Sequence, residues 1–242
     1  MIRENPSSDD AQAPISLGNE SEVLDLVAGS IMGLWDIVSD LTRLRPTRRE
    51  RYRVTIFGSA RVPEDHWVYA AVRDVSEELT RLGCDIVTGG GPGLMAAANE
   101  GAARASPNAV KRSIGIRVEL PFEQSVNAFV TQAYEHRTFF TRLHQFVIMS
   151  DAFVVMPGGI GTLLEATMIW QLLQVGHLQN TPLILVGKMY EELVAWCRQH
   201  MLRPDIPLAN ADDIALPLCV RDGPGVLAIL RSRHADWIAA RV

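Results

Sequence analysis

In the stretch DAFVVMPGGIGTLLEA (residues 151–166), an apolar run, a glycine turn and a helix start follow one another without a gap. The run 152–156 is long enough for one buried strand and no more. Pro157 ends it, and Gly158, Gly159 and Gly161 let the backbone turn tightly with its N–H groups open to a ligand. Thr162 then begins a helical pattern. Strand, glycine turn and helix start together aim unpaired amide donors and a positive helix end at an anion. Glu165 stands one turn into that helix, a carboxylate beside an expected phosphate site.

The flanking sequence repeats this alternation. Short apolar runs at 52–57, 84–88, 113–118 and 182–187, with a further short one at 128–132, read as strands. Helical spacing marks 67–82, 94–105, 137–150, 190–202 and 224–240, with Phe139, Phe140, Leu143, Phe146 and Val147 expected to point inward from the third of these. Residues 214–220 read as a weaker strand or extended piece. Continuous apolar strands alternating with helices predict an α/β fold: a Rossmann-like, doubly wound parallel sheet with helices on both faces. Its crossovers should be right-handed, and its ligand should sit at the carboxyl ends of the strands near the topological switch point.

Residues 1–18 are polar and are expected to form a disordered tail. Residues 19–46 carry Val23, Leu26, Val27, Ile31, Leu34, Ile37, Val38 and Leu41 at helical spacing, predicting an amphipathic N-terminal helical arm. That arm either packs on the main domain or forms a subunit contact. Residues 47–242 then form one nucleotide-binding domain.

Composition narrows the function. Hydrophobic and charged fractions of 48% and 21% are ordinary for a globular chain, and the net charge of -5 argues against a nucleic-acid partner. Cys84, Cys197 and Cys219 are widely spaced and read as reduced thiols, no run approaches a membrane span, and the acidic N-terminus lacks a signal-peptide core. The expected location is cytoplasmic, without a membrane partner.

Three turns at strand ends are glycine-rich or small: Gly58-Ser59, residues 89–93 and residues 158–161. Two strong ones on a single sheet favour a nucleotide-sized ligand. No lysine follows either as a P-loop requires, and Gly159-Ile160-Gly161 lacks the third glycine of a dinucleotide fingerprint. A single phosphate suits what remains, as in a nucleoside monophosphate. The histidines show no metal-binding spacing, so no metal is expected, and no GxSxG elbow is present. Glu165 has two readings at this level. Thr162 and Glu165 have capping-box spacing, which would make the carboxylate a helix cap. Arg142 is likewise either a surface arginine or a guanidinium turned into the site.

PGGIGTLLE (157–165) resembles the PGGxGTxxE signature of the Lonely Guy proteins, the cytokinin riboside 5′-monophosphate phosphoribohydrolases. GGGPGLMAAANEGA (89–102) is similar to their second motif. VTIFGSAR (54–61), GIRVELPFEQSVN (115–127) and FFTRLHQFVIMSDAF (139–153) point to the longer bacterial branch. The resemblance implies a Rossmann-like homodimer or assembly of dimers, with no cofactor. Its reaction cleaves the N-glycosidic bond of an adenine-type nucleoside 5′-monophosphate, giving free base and ribose 5-phosphate. It further implies Glu165 and Arg142 as the catalytic pair and the backbone at Gly158, Gly159, Gly161 and Thr162 as the phosphate site. Ser59, Gly90, Gly91 and Met95 would border the nucleotide. The chain departs from the family pattern at Leu143, where a lysine is usual, and at Ala96 and Met168, where acidic residues are common. Such proteins were often labelled lysine decarboxylases. Neither Lys111 nor Lys188 lies in a recognisable pyridoxal phosphate motif, which argues against that chemistry. A non-catalytic carrier of a nucleotide or of molybdenum cofactor on the same fold is the alternative.

Overall fold

The alternation of apolar and apolar-plus-glycine segments becomes a seven-stranded sheet in the computed structural model, which describes residues 19–42, 50–105, 113–118 and 126–241. The tail 1–18 and Lys111 lie outside the described residues. The chain divides into two units, 1–47 and 48–242. Of the first, helix α1 (Glu20–Thr42) is described; Leu24, Ile31 and Met32 on it are exposed.

The second unit runs β1 (Arg53–Phe57), α2 (Trp67–Arg81), β2 (Asp85–Thr88), α3 (Leu94–Ala105), β3 (Ser113–Val118) and β4 (Gln132–His136). It continues with α4 (Phe139–Met149), β5 (Ala152–Val155), α5 (Ile160–Gln174), β6 (Leu183–Val186) and α6 (Lys188–Met201). Helix α7 (Ala211–Ala215), β7 (Leu218–Val220) and α8 (Gly223–Ala239) close it. The strands pair in the order β4-β3-β2-β1-β5-β6-β7, and every pairing is parallel. The order reverses between β1 and β5. Two neighbouring strands there send their chains to opposite sides, which opens a crevice at their carboxyl ends.

Burial follows the period of two that a strand imposes on its side chains. On β5, Ala152 and Val154 join one core with α2, α3 and α8, while Phe153 and Val155 join the other with α4, α5 and α6. Leu183 and Leu185 against Ile184 and Val186 repeat the split on β6. Helices therefore cover both faces, as the continuous apolar runs predicted.

Three local expectations are corrected. The strand expected at 128–132 lies at Gln132–His136, because Asn127 turns the chain first: its Oδ1 accepts from the Phe129 N–H and its carbonyl from the Val130 N–H. The weak strand expected at 214–220 is confined to Leu218–Val220. Asn210 and Asp213 form a reciprocal capping box that commits the preceding residues to α7. Phe139 and Phe140 do not point inward. Thr138 caps α4, its buried face is set by Leu143, Phe146 and Met149, and the first turn leaves both rings exposed. Helical periodicity marks an apolar face without saying what covers it.

Helices α2 and α3 meet along small residues, including the buried Ala97, Ala98 and Ala102. A Cβ on Gly101 would stand 2.1 Å from the Arg73 carbonyl oxygen and 2.9 Å from the Glu77 nitrogen. Backbone is in contact with backbone, so Gly101→Ala must push the helices apart. It is expected to cost about 2 kcal/mol, read as a fall of several degrees in the thermal midpoint. An unchanged midpoint would show that the seam slides freely.

Candidate active site

The three glycine turns converge at the switch point. The Ser59 N–H donates to the Pro157 carbonyl (3.1 Å), and the Leu94 N–H donates to the Ser59 carbonyl (2.9 Å). Each turn is thus fastened to the next by main chain. Gly93 has φ +65, and a Cβ there would stand 2.4 Å from the Ser59 oxygen, so no other residue fits without displacing the β1 turn. Ser59 keeps its own hydroxyl occupied by accepting from the Arg61 N–H.

At the β5–α5 turn, Gly159 is the N-cap and has no side-chain cap bond. The expected Thr162–Glu165 capping box does not form. The helix begins at Ile160, two residues earlier than the pattern suggested, so both side chains lie inside it rather than across its start. The Leu163 N–H bonds back to Gly159, while the amides ahead of it in the first turn have no intrahelical acceptor. Among the described residues, added Cβ atoms at Gly159 and Gly161 would meet nothing within 4 Å beyond their own stretch of chain, so this side of the turn is open. Gly158 differs: a Cβ would stand 2.3 Å from Thr162 Oγ1, because the buried threonine folds over it. Backbone donors, a helix N-terminus and empty room above them suit a phosphate-sized anion.

Glu165, freed from capping, is buried on α5 and meets Arg142 from α4, with Nη2 and Oε1 3.4 Å apart. The two side chains are only 13% and 12% exposed. Arg142 is fixed from three sides. Its Nε donates to the Ile116 carbonyl of β3 (3.0 Å), its guanidinium lies 5.4 Å from the Phe146 ring, and Gly89 leaves room for Nη2. Burial pushes the Glu165 carboxyl up to about 7; Arg142 pulls the other way and does not cancel it. A carboxyl poised near neutrality can hold or release a proton under ordinary conditions.

Gly90 has φ +73 and Gly91 is buried beside it. Met95 is half-buried on the first turn of α3, and its sulfur stands 2.7 Å from the position of a Gly89 Cβ. The turn 89–93 thereby lies against the Arg142 guanidinium. The family-departing residues are accommodated as packing: Leu143 and Ala96 are buried and Met168 packs against the core.

Sequence reasoning missed three neighbours. Tyr190 is buried, donates to the Met156 carbonyl (3.0 Å) just before the phosphate turn, and feels the Glu165 charge. His136, ending β4, and His144, on α4, each bury an Nε2 atom without a hydrogen-bond partner. Burial lowers the pKa of both, and Arg142 lowers that of His136 further. Burial and the arginine thus favour the neutral form of His136, and His144 lies near His136. No spacing rule finds them, since they meet across β4 and α4. Among the described residues no cluster of His, Cys, Asp or Glu could hold a metal, and no helix is long and apolar enough to cross a membrane.

The raised Glu165 pKa has a stability consequence. The folded state keeps this proton up to about pH 7, while the unfolded chain loses it near its ordinary value, so this group lowers stability as pH rises between the two. Glu165→Gln, which stays neutral, should lack that decline. Chemical denaturation of both proteins at pH 5 and pH 8 checks it, the variant gaining relative stability at the higher pH.

A family model described as possible lysine decarboxylase matches residues 95–217. Among solved structures, the chain resembles the molybdenum cofactor carrier protein of Chlamydomonas reinhardtii at 18% identity, covering 77% of this chain and 99% of that one with a TM-score of 0.55. The molybdenum cofactor binding protein of the phototrophic bacterium Rippkaea orientalis is 18% identical over 77% and 98% of the two chains, TM-score 0.54. DNA processing protein A of Helicobacter pylori is 15% identical over 76% and 81%, TM-score 0.50. No curated protein matches. At these identities the structural likeness concerns the fold.

Proposed function

The chain belongs to the family described as possible lysine decarboxylases, the family of the Lonely Guy-like proteins, and from that premise we propose that it is a nucleoside 5′-monophosphate phosphoribohydrolase. It hydrolyses the N-glycosidic bond of an adenine-type nucleotide, of the cytokinin kind or AMP, and releases free base and ribose 5-phosphate. The observation that carries this reading is the buried Arg142–Glu165 pair beside an open glycine turn.

The phosphate binds over the first turn of α5, held by the backbone of Gly158, Gly159, Gly161 and Thr162. Ser59, Gly90, Gly91 and Met95 border the nucleoside. As the C1′–N bond lengthens, positive charge grows on the ribose, and the Glu165 carboxylate stabilises it. Water adds its oxygen to C1′ and gives a proton to Glu165, the departing base takes the bonding electron pair, and Glu165 then returns that proton to the base. Arg142 keeps the carboxylate ionised enough to act as base and fixes its direction. The enzyme works as a homodimer or an assembly of dimers in the cytoplasm, without a cofactor.

The family's descriptive label fits this site poorly. A lysine that forms a Schiff base needs a desolvated amine, whereas Lys188 is 85% exposed and paired with Glu192. A carrier role, as the name of the Chlamydomonas reinhardtii protein describes for that protein, would use the turns but not a buried protonatable carboxyl.

Incubation with AMP and with isopentenyladenosine monophosphate, followed by chromatography, should show free base and ribose 5-phosphate. Tight binding without release would favour the carrier. Glu165→Gln should lower turnover by at least about a hundredfold and leave binding within a few-fold; a fully active variant would remove Glu165 from the chemistry. In the wild type, kcat/KM should rise with pH and level off above about 7, following ionisation of Glu165. Arg142→Ala should move that limb to higher pH.

A further inference from the structure

A buried chain of polar side chains encloses Gly90. The Gly90 N–H donates to Thr88 Oγ1 (2.9 Å), and that hydroxyl donates to Asn99 Oδ1 (2.7 Å). The Asn127 amide donates to the same Oδ1 (3.0 Å) and to the carbonyls of Gly90 (3.1 Å) and Gly91 (3.0 Å). The Asn127 N–H adds a bond to the Gly90 carbonyl (2.8 Å), and Asn99 Nδ2 donates to Ser113 Oγ (2.9 Å). Both backbone groups of Gly90 are therefore spent inside the protein. Gly90 helps a ligand by its shape, not by donating a hydrogen bond.

The Asn127 side chain carries two amide protons for three acceptors within reach, which holds all three in one place. Asn99 and Thr88 are fully buried, so the ring has no water to substitute for a lost member. Its mechanical output is the position of Gly89, the next residue up the turn. A Cβ there would stand 2.4 Å from Arg142 Nη2, so the Gly89 backbone is the wall against which the guanidinium rests. The remaining contacts of Arg142, the Ile116 carbonyl and Phe146, leave that side to the turn.

We propose that Asn127 is a positioning residue for the Arg142–Glu165 pair, acting through the glycine turn that it clamps; its catalytic significance rests on the hydrolase reading. Among the described residues, the titratable groups that interact with the pair are Tyr190 on α6 and His136 at the end of β4. With the clamp removed, the turn relaxes, Arg142 gains freedom to withdraw, and Glu165 loses the charge that favours its ionised form.

Two measurements on Asn127→Ala and Asn127→Ser test this. Serine retains an oxygen able to cap the Phe129 N–H while lacking the amide donor. In ligand-free protein, the Glu165 carboxyl followed by carbon NMR should titrate about half a pH unit or more above wild type in both variants. With AMP, kcat/KM should fall about ten- to a hundredfold per folded molecule, mostly in kcat, and so by more than any loss of folded protein. Wild-type titration of Glu165 in either folded variant overturns the proposal, as does activity lost only in proportion to folded protein. Should the wild-type protein release no base, the hydrolase reading fails by itself, and the titration still decides whether Asn127 positions the pair.

Discussion

A carboxylate taken out of water needs a reason to stay there, and Glu165 has a close cation in Arg142 at 3.4 Å. Burial acts more strongly than the arginine, so the carboxyl is held near neutrality rather than fully charged. The balance depends on where the guanidinium sits, because the Coulomb attraction changes steeply with distance in a poorly solvated site. Much of the surrounding architecture fixes that position. A β3 carbonyl, a phenylalanine one turn along α4 and the glycine turn after β2 each restrain Arg142 from a different direction.

The glycines follow from the same requirement. Parallel strands whose order reverses between β1 and β5 deliver three loops to one small area. Side chains there would hold the backbones apart, and main-chain bonds such as Ser59 to Pro157 and Leu94 to Ser59 could not close. Glycine lets the loops touch. At Gly159 and Gly161 nothing among the described residues stands above the glycine, and the turn is open there. Similar folds occur in cofactor-binding and DNA-processing proteins, so the scaffold does not choose the chemistry.

Much of this was legible beforehand. Strands buried on both faces read as short apolar runs, and glycine clusters at their ends mark the ligand edge whatever the details of packing. What misled were features that local pattern leaves ambiguous. Thr162 and Glu165 have the spacing of a cap, but the helix starts at Ile160, and a carboxylate inside a helix cannot reach its first amides. Phe139 and Phe140 share the apolar periodicity of Leu143 and Phe146, yet among the described residues nothing buries the first turn of α4.

The sequence by itself determined the layered α/β fold and the glycine turn that opens α5, because periodicity and backbone freedom are local properties written residue by residue. Tertiary structure decided the rest. That Glu165 is buried, that Arg142 meets it, and that His136 and Tyr190 lie near them depend on elements far apart in the chain being brought together. A carboxyl group's proton affinity is set by the charges and solvent within a few ångströms, and no local pattern specifies those neighbours.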